Sequence, residues 1–351
     1  MNLDDTRIFT ELDPSEMLGE IDQLPDQLAT AWELGGRFPL GEISGVRHVI
    51  LAGMGGSAIG ADLLAAYAMP MTPVPITVWR DYDLPASAAG EGTLVVVSSH
   101  SGNTEESLSA MKAARDCGAQ IIAITTGGQL ADSVNKMGAP VWQFEHNGQP
   151  RAAVGFGFGL LLMLFTRLGL IPDPEEEFKG TLEMMRAQQE SIRADVPVVN
   201  NPAKRMAGQF MGRWLTILGA DILEPVARRW RTQIAELAKA VAQFEALPEA
   251  DHNMIAGVLN PEALFGSTMV VFLRATTCHP RNLLRVDATR QVLMVEGFNT
   301  DVLEAVGETR MAQQWSALHF GDYAAYYLAM AYGVDPTPVE AIEDLKRRLV
   351  T

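Results

Sequence analysis

The stretch Leu94–Ser107, LVVVSSHSGNTEES, constrains this chain more than any other. Its first four residues form an apolar, β-branched run suited to a buried strand. Ser98, Ser99, Ser101, Gly102, Asn103 and Thr104 follow with small hydroxyl and amide side chains, and from Thr104 the spacing of Leu108, Met111 and Ala114 is helical. The free N–H groups of that helix's first turn, with the positive end of its dipole, then face the serine-rich loop, an arrangement that holds phosphate. The same residues also fit a plain helix start, with Ser101 or Thr104 as cap and Glu105 and Glu106 placed to suit the dipole.

A second loop of similar build lies upstream. His48–Leu51 reads as a strand and leads into Gly53, Met54, Gly55, Gly56, Ser57, Ala58, Ile59 and Gly60, followed by an apolar helix over 61–67. Glycines at 53, 55 and 56 allow positive φ and close approach of backbone to a ligand. Only the looser dinucleotide fingerprint, ending in Ala58, is met; it would leave the serine-rich loop without a role, and no Walker lysine follows. Two such loops facing one ligand predict an anion site.

Around these loops, short apolar runs alternate with helical patterns. His48–Leu51, Thr77–Trp79, Leu94–Val97, Ile121–Thr125 and Val141–Phe144 predict a parallel sheet with helices on both faces. The second half repeats the outline, with strands expected at Leu215–Leu218 and Met269–Leu273, but ILGADILEPVARRW and LRATTCHPRNLLR stand in place of the glycine and serine loops. The expected architecture is α/β with two doubly wound subdomains. A helical segment occupies 1–40, with an amphipathic helix from Pro14 to Leu34; the first subdomain, bearing the phosphate loops, spans 41–171; an exposed connecting helix lies in 172–200; and the second subdomain, with the catalytic residues and C-terminal helices, spans 201–351. The ligand is expected between the subdomains.

Residues 152–171 are apolar enough to raise the question of a membrane span. Arg167 and the glycines at 155, 157 and 159 interrupt them, and a span needs about 20 apolar residues, so a buried helix is expected. Across 351 residues, 48% hydrophobic content supports a core in each half. A net charge of −16 without any run of Lys and Arg argues against nucleic acid or an anionic membrane as partner, and requires an anion site to be positive locally. Cys117 and Cys278 are too few for a disulfide framework or a zinc site and are expected to be buried thiols. The acidic N-terminus lacks the order of a signal peptide, so a cytoplasmic location is expected.

After Gly219, ARRWRTQIAELAKA predicts a helix with the apolar stripe Val226, Trp230, Ile234, Leu237, Val241 and Phe244. Glu236, at the edge of that stripe, reads either as a solvated carboxylate paired with Lys239 or as a proton carrier. His252, in LPEADHN, reads either as a polar turn residue or as an acid–base group.

The loops GMGGSAIG and SSHSGNTEES, about 45 residues apart, resemble the sugar isomerase (SIS) domain, a doubly wound fold that binds phosphosugars. The resemblance implies that Ser57, Ser99, Ser101 and Thr104, with Gly55 and Gly56, hold the substrate phosphate. RRWRTQIAELAK, LPEADHN and the C-terminal FGDYAAYYLAMAYGVDPTPVEAIEDLK extend the likeness: from Gly53 to Lys346 the chain resembles the bifunctional phosphoglucose/phosphomannose isomerase family. That likeness implies Glu236 as catalytic base, His252 as the ring-opening group, Lys346 beside it, and Arg151 against the enediolate oxygen. It further implies a phosphorylated hexose substrate, with glucose 6-phosphate and mannose 6-phosphate converted to fructose 6-phosphate through a cis-enediol. No cofactor or metal is expected, and the implied assembly is a homodimer with His252 donated across the interface. Three departures bear on substrate preference: Leu237 where the family commonly carries asparagine, Met254 where it carries glutamate, and His100 where a tyrosine is frequent. The same loops would serve a non-catalytic sugar-phosphate sensor, or an amino-sugar phosphate isomerase or lyase. No helix-turn-helix or basic segment supplies a sensor's output.

Overall fold

A computed structural model describes residues 2–349. Helices α1 (Thr6–Leu12), α2 (Met17–Asp22) and α3 (Leu24–Arg37) precede β1 (His48–Ala52), α4 (Gly55–Ala68), β2 (Ile76–Trp79), β3 (Thr93–Ser99), α5 (Glu105–Asp116), β4 (Gln120–Thr125), α6 (Gly128–Lys136) and β5 (Val141–Gln143). Then come α7 (Val154–Arg167), α8 (Glu175–Ile192), α9 (Pro202–Phe210), β6 (Trp214–Ala220), α10 (Glu224–Ala238), β7 (Ala242–Leu247), β8 (Thr268–Arg274), α11 (Pro280–Val295), β9 (Asn299–Glu304), α12 (Arg310–Tyr332) and α13 (Glu340–Leu349). The chain divides into two compact units: a first, Gln23–Leu182, and a second formed by residues up to Asp22 together with those from Glu183 onward.

Each unit is built on an all-parallel sheet, ordered β2-β1-β3-β4-β5 in the first and β7-β6-β8-β9 in the second. Helices cover both faces of such sheets, so inner strands are continuous apolar runs. Every residue of β3 is buried. The strand order reverses between β1 and β3, and again between β6 and β8; crevices at the carboxyl ends of such strands bind ligands.

Gly155 and Gly159 on α7, with Gly60 on α4, let neighbouring helices approach α7, which is buried along nearly its whole length. A Cβ at Gly155 would lie 2.7 Å from Gln27 Oε1, one at Gly159 2.7 Å from the Ala31 Cβ, and one at Gly60 of α4 2.8 Å from the backbone of Gly157. The membrane-like hydropathy of 152–171 is therefore that of a core helix wedged between α3 and α4. Among the described residues no helix is long and apolar enough to cross a membrane.

The second unit is organised around α12, buried from Met311 to Met330. Gly321 lets Trp230 of α10 lie directly on it: a Cβ there would fall 1.9 Å from the indole nitrogen. Beside it Arg229 donates to both carboxylate oxygens of Asp322, at 3.1 and 2.8 Å. Both residues are buried. Removing one partner of such a pair leaves an uncompensated charge, at about 3–5 kcal/mol. Lys204 is also buried, donating to the carbonyls of Ala194 and Val196, and loss of hydration holds its pKa below the ordinary lysine range.

Several expectations are corrected. The single helix over 14–34 is two, α2 and α3, because Pro25 carries no N–H to continue the ladder. The helix after Gly219 stops at Ala238, with Lys239 at φ 55° in the left-handed cap position, so Val241 and Phe244 leave its stripe and Phe244 enters β7. Strands β7 and β9, missed from sequence, are the edge strands of their sheet, partly exposed and correspondingly polar (AQFEAL and NTDVLE). The helix expected to be solvent-exposed, α8, buries Phe178, Leu182 and Met185. Of the two thiols expected to be buried, Cys278 is, while Cys117 is only half-buried.

Candidate functional site

Parallel pairing aligns Ala52, the last residue of β1, with Val97 of β3, and β3 runs on to Ser99 beside β4, so the glycine loop and the serine loop leave neighbouring strands at the same edge of the sheet. The two loops are tied together by a side chain: the His100 N–H donates to Ser57 Oγ at 3.2 Å. A Cβ at Gly53 would sit 2.8 Å from the Ser98 carbonyl oxygen, which accounts for glycine at the first loop position. Gly102 is fixed likewise, with φ 67° and a virtual Cβ only 1.8 Å from the Gly127 carbonyl oxygen.

Within the serine loop the hydroxyls have distinct tasks. Ser99 is buried; its Oγ accepts from the Gly102 N–H at 3.1 Å and donates to Thr104 Oγ1 at 3.0 Å. Ser101 is exposed, and its Oγ accepts from the Asn103 N–H at 3.2 Å. Thr104 occupies the N-cap position of α5 without making a side-chain capping bond. Its hydroxyl is engaged with Ser99 across the loop, unlike that of an ordinary cap. At the other loop, α4 starts at Gly55 without a side-chain cap. Two helix N-termini thus open at the β1–β3 switch point of the first unit, a setting in which backbone N–H groups and dipoles favour an anion.

Arg151 joins this cradle through backbone packing. The 3-10 turn Pro150–Ala152 lies against the first turn of α4 so closely that a Cβ on Gly56 would be 2.3 Å from the Pro150 carbonyl oxygen and 3.0 Å from the Arg151 nitrogen. Gln27 holds the far side of the turn, donating to the Ala152 carbonyl at 2.9 Å and accepting from the N–H groups of Gly155 at 2.7 Å and Phe156 at 3.2 Å. Arg151 is itself buried, which keeps a permanent cation in a fixed place within an acidic chain. Ser57, Ser99, Ser101, Thr104, Gly55, Gly56 and Arg151 are therefore gathered in one place within the first unit.

Glu236, His252 and Lys346 lie in the second unit. Half-buried Glu236 stands in the last turn of α10 on a cavity of about 700 Å³, lined also by Lys239, Val241, Val334, Pro338 and Ile342. Lys239 Nζ donates to the carbonyls of Glu236 and Pro336, at 2.6 and 3.2 Å, stapling the helix end to the segment before α13. Lys346 is exposed on α13; the first turn of that helix, not Lys346, lines the cavity. His252 closes the 3-10 turn Glu249–His252 after β7 and is exposed. Of the three departures, Leu237 is core, Met254 packs on a core cluster with Ile255 and Val258, and His100 Nε2 lies 2.9 Å from His146 Nδ1. Nothing in the sequence linked His146 to the loop, since 46 positions separate the two imidazoles.

The second unit's own switch point is occupied by side chains. Asp221, at φ 54°, receives both guanidinium nitrogens of Arg310, at 3.0 and 2.8 Å. Beside it Cys278 points at the Ala220 carbonyl, its thiol pushed up to about 12 by burial and then by the Asp221 carboxylate. Among the described residues no group of three or more His, Cys, Asp or Glu side chains is arranged to hold a metal.

Comparison with known proteins follows this division of the chain. A family model described as the SIS domain matches residues 42–133, and one described as the bacterial phospho-glucose isomerase C-terminal SIS domain matches residues 199–349. The chain is 38% identical over 337 residues to the bifunctional phosphoglucose/phosphomannose isomerase of Caldicellulosiruptor bescii, covering 95% of this chain and 98% of that protein. It is 31% identical over 340 residues to the protein of the same name from Thermoplasma acidophilum, covering 95% and 97%. Among solved structures, the C-terminal domain of glucosamine-fructose-6-phosphate aminotransferase from Francisella tularensis matches with a TM-score of 0.73 at 14% identity, over 92% of this chain and 98% of that one, a likeness of fold. By near full-length identity to its relatives, the chain belongs to the bifunctional phosphoglucose/phosphomannose isomerase family.

Proposed function

We propose that the protein is an aldose–ketose isomerase that converts glucose 6-phosphate and mannose 6-phosphate to fructose 6-phosphate and back. The observation that carries this reading is the anion cradle at the β1–β3 switch point, in a chain whose relatives over nearly its full length bear that activity in their names. In this reading the serine loop and the N-termini of α4 and α5 hold the phosphate, Ser101 and Thr104 by their hydroxyls and Ser99 by fixing Thr104.

The chemistry then needs three things. The hemiacetal ring must open, with His252 and Lys346 exchanging protons at the ring oxygen and the anomeric hydroxyl. Glu236 carries one proton between C1 and C2, general-base catalysis typically contributing about 10²–10⁴-fold. Negative charge on the enediol oxygen is met by Arg151, a fixed cation that needs no reorganisation as the charge develops.

Purified protein in coupled assays is expected to turn over all three hexose phosphates, and absence of turnover on each would end the reading. Ser99→Ala combined with Ser101→Ala should raise KM at least about tenfold, since the Ser101 hydrogen bond to a charged group is worth about 1.5–3 kcal/mol and loss of Ser99 also frees the Thr104 hydroxyl it fixes. An unchanged KM would remove the loop from the site. Glu236→Gln preserves shape but cannot accept the proton; kcat should fall about 10²-fold or more at nearly constant KM. A fully active glutamine variant would remove Glu236 from the proton transfer.

The working form in this proposal is a homodimer in which each His252 serves the partner's site. Inactive Glu236→Gln protein mixed with inactive His252→Ala protein, after subunit exchange, is then expected to regain about half of wild-type activity per mixed dimer, because one site carries both defects and the other neither. Persistent inactivity in verified mixed dimers would assign each His252 to its own chain.

A further inference from the structure

The turn that carries His252 is anchored on both sides of that residue. Ala250 is buried in a cluster with Val286 and Leu293 of α11. Asp251 is held at both carboxylate oxygens by the same helix: Arg285 Nη1 donates to Oδ2 at 2.8 Å and Thr289 Oγ1 to Oδ1 at 2.7 Å. Thr289 is buried, and the Asp251 side chain is only 14% exposed. On the other side Asn253 Nδ2 donates to Glu249 Oε1 at 2.8 Å, and Asn253 Oδ1 accepts from the Met254 N–H at 2.6 Å. His252, between these anchors, is exposed, and among the described residues its imidazole makes no hydrogen bond or ion pair.

A turn that only reversed the chain after β7 would not need a charged, two-point grip on the residue next to an exposed histidine. A carboxylate held at both oxygens by an arginine and a buried hydroxyl has one orientation, and through its peptide it fixes where the next Cα points. Hydrogen bonds to charged groups are the stronger kind, and their geometry is the narrower. We infer that Asp251, Arg285 and Thr289 form a clamp that positions His252 for proton exchange with the sugar ring. The inference rests on the reading of His252 as the ring-opening group. The three are positioning residues that act through the histidine and do not touch substrate. Neither composition nor motif shows the clamp, because Arg285 and Thr289 lie 34 and 38 positions beyond Asp251.

The test is a double-mutant cycle on glucose 6-phosphate turnover. Asp251→Ala is expected to lower kcat about 10- to 100-fold, the scale of a misplaced catalytic group, with KM within about twofold of wild type. Added to His252→Ala, the same change should cost nothing further, because the clamp has nothing left to position. Asp251→Asn keeps an acceptor for Arg285 and a partner for Thr289 and should restore most of the rate. Thr289→Val removes one of the two grips without changing volume; it serves where Asp251→Ala does not fold, with a smaller loss that also vanishes beside His252→Ala. If His252→Ala is too slow for the cycle, the ¹⁵N-imidazole resonance of His252 decides: a single narrow signal in wild type that broadens or splits in either clamp variant is expected. A folded Asp251→Ala protein with wild-type kcat and an unaltered His252 signal would overturn the clamp. So would an equal loss in the presence and absence of His252. Wild-type turnover by His252→Ala would instead overturn the proposal through the assignment of the histidine, leaving the glutamate and phosphate-loop results to stand or fall on their own.

Discussion

In the proposed function a phosphate is held by a chain of net charge −16, and the parallel pairing of β1 with β3 is the constraint on which that proposal depends. Long-range electrostatics oppose the ligand, so attraction has to be local and pre-oriented. Two neighbouring parallel strands at a strand-order reversal deliver two loops and two helix N-termini to the same sheet edge, and backbone N–H groups supply donors without adding side-chain charge. Other features of the first unit follow from keeping that spot compact. Gly53 and Gly102 are required because carbonyl oxygens occupy the space a Cβ would take, and Gly56 because the Arg151 turn lies on α4. Gln27, from a helix far away in sequence, holds the other side of that turn.

The second unit repeats the strand order without repeating the site. At its equivalent strand-order reversal stand the Asp221–Arg310 pair and the Cys278 thiol, where the first unit has the glycine and serine loops. In place of phosphate donors, this unit carries a half-buried glutamate at a helix end and an exposed histidine on a braced turn. Its rigidity comes from α12, where Gly321 admits Trp230 and Asp322 neutralises Arg229.

What the sequence made legible follows physical signal strength. Inner strands of parallel sheets are continuous apolar runs, so β1, β3, β4, β6 and β8 are readable, and edge strands β2 and β5 are readable too because they keep short runs with Ile, Val and Trp; edge strands β7 and β9 carry glutamate, glutamine, asparagine and aspartate and give no such run. The loops were readable because glycine and serine requirements are local. Long-range partners were not: His146 at His100, Gln27 at the Arg151 turn and Arg285 at Asp251 are joined only by the fold. The end of α10 is not legible because Lys239 takes a left-handed conformation usually left to glycine or asparagine, while the apolar spacing continues past it through Val241 and Phe244.

The central claim is that one chain interconverts both aldoses with the ketose by moving a proton through an enediol. Incubating fructose 6-phosphate with the protein in D₂O and following the products by NMR tests it directly. Glucose 6-phosphate and mannose 6-phosphate should both appear, each carrying deuterium at C2, because a proton resting on a carboxylate exchanges with solvent before it is returned. Products that carry only protium at C2, all of it brought from C1, would indicate direct hydrogen transfer between the carbons and contradict the account.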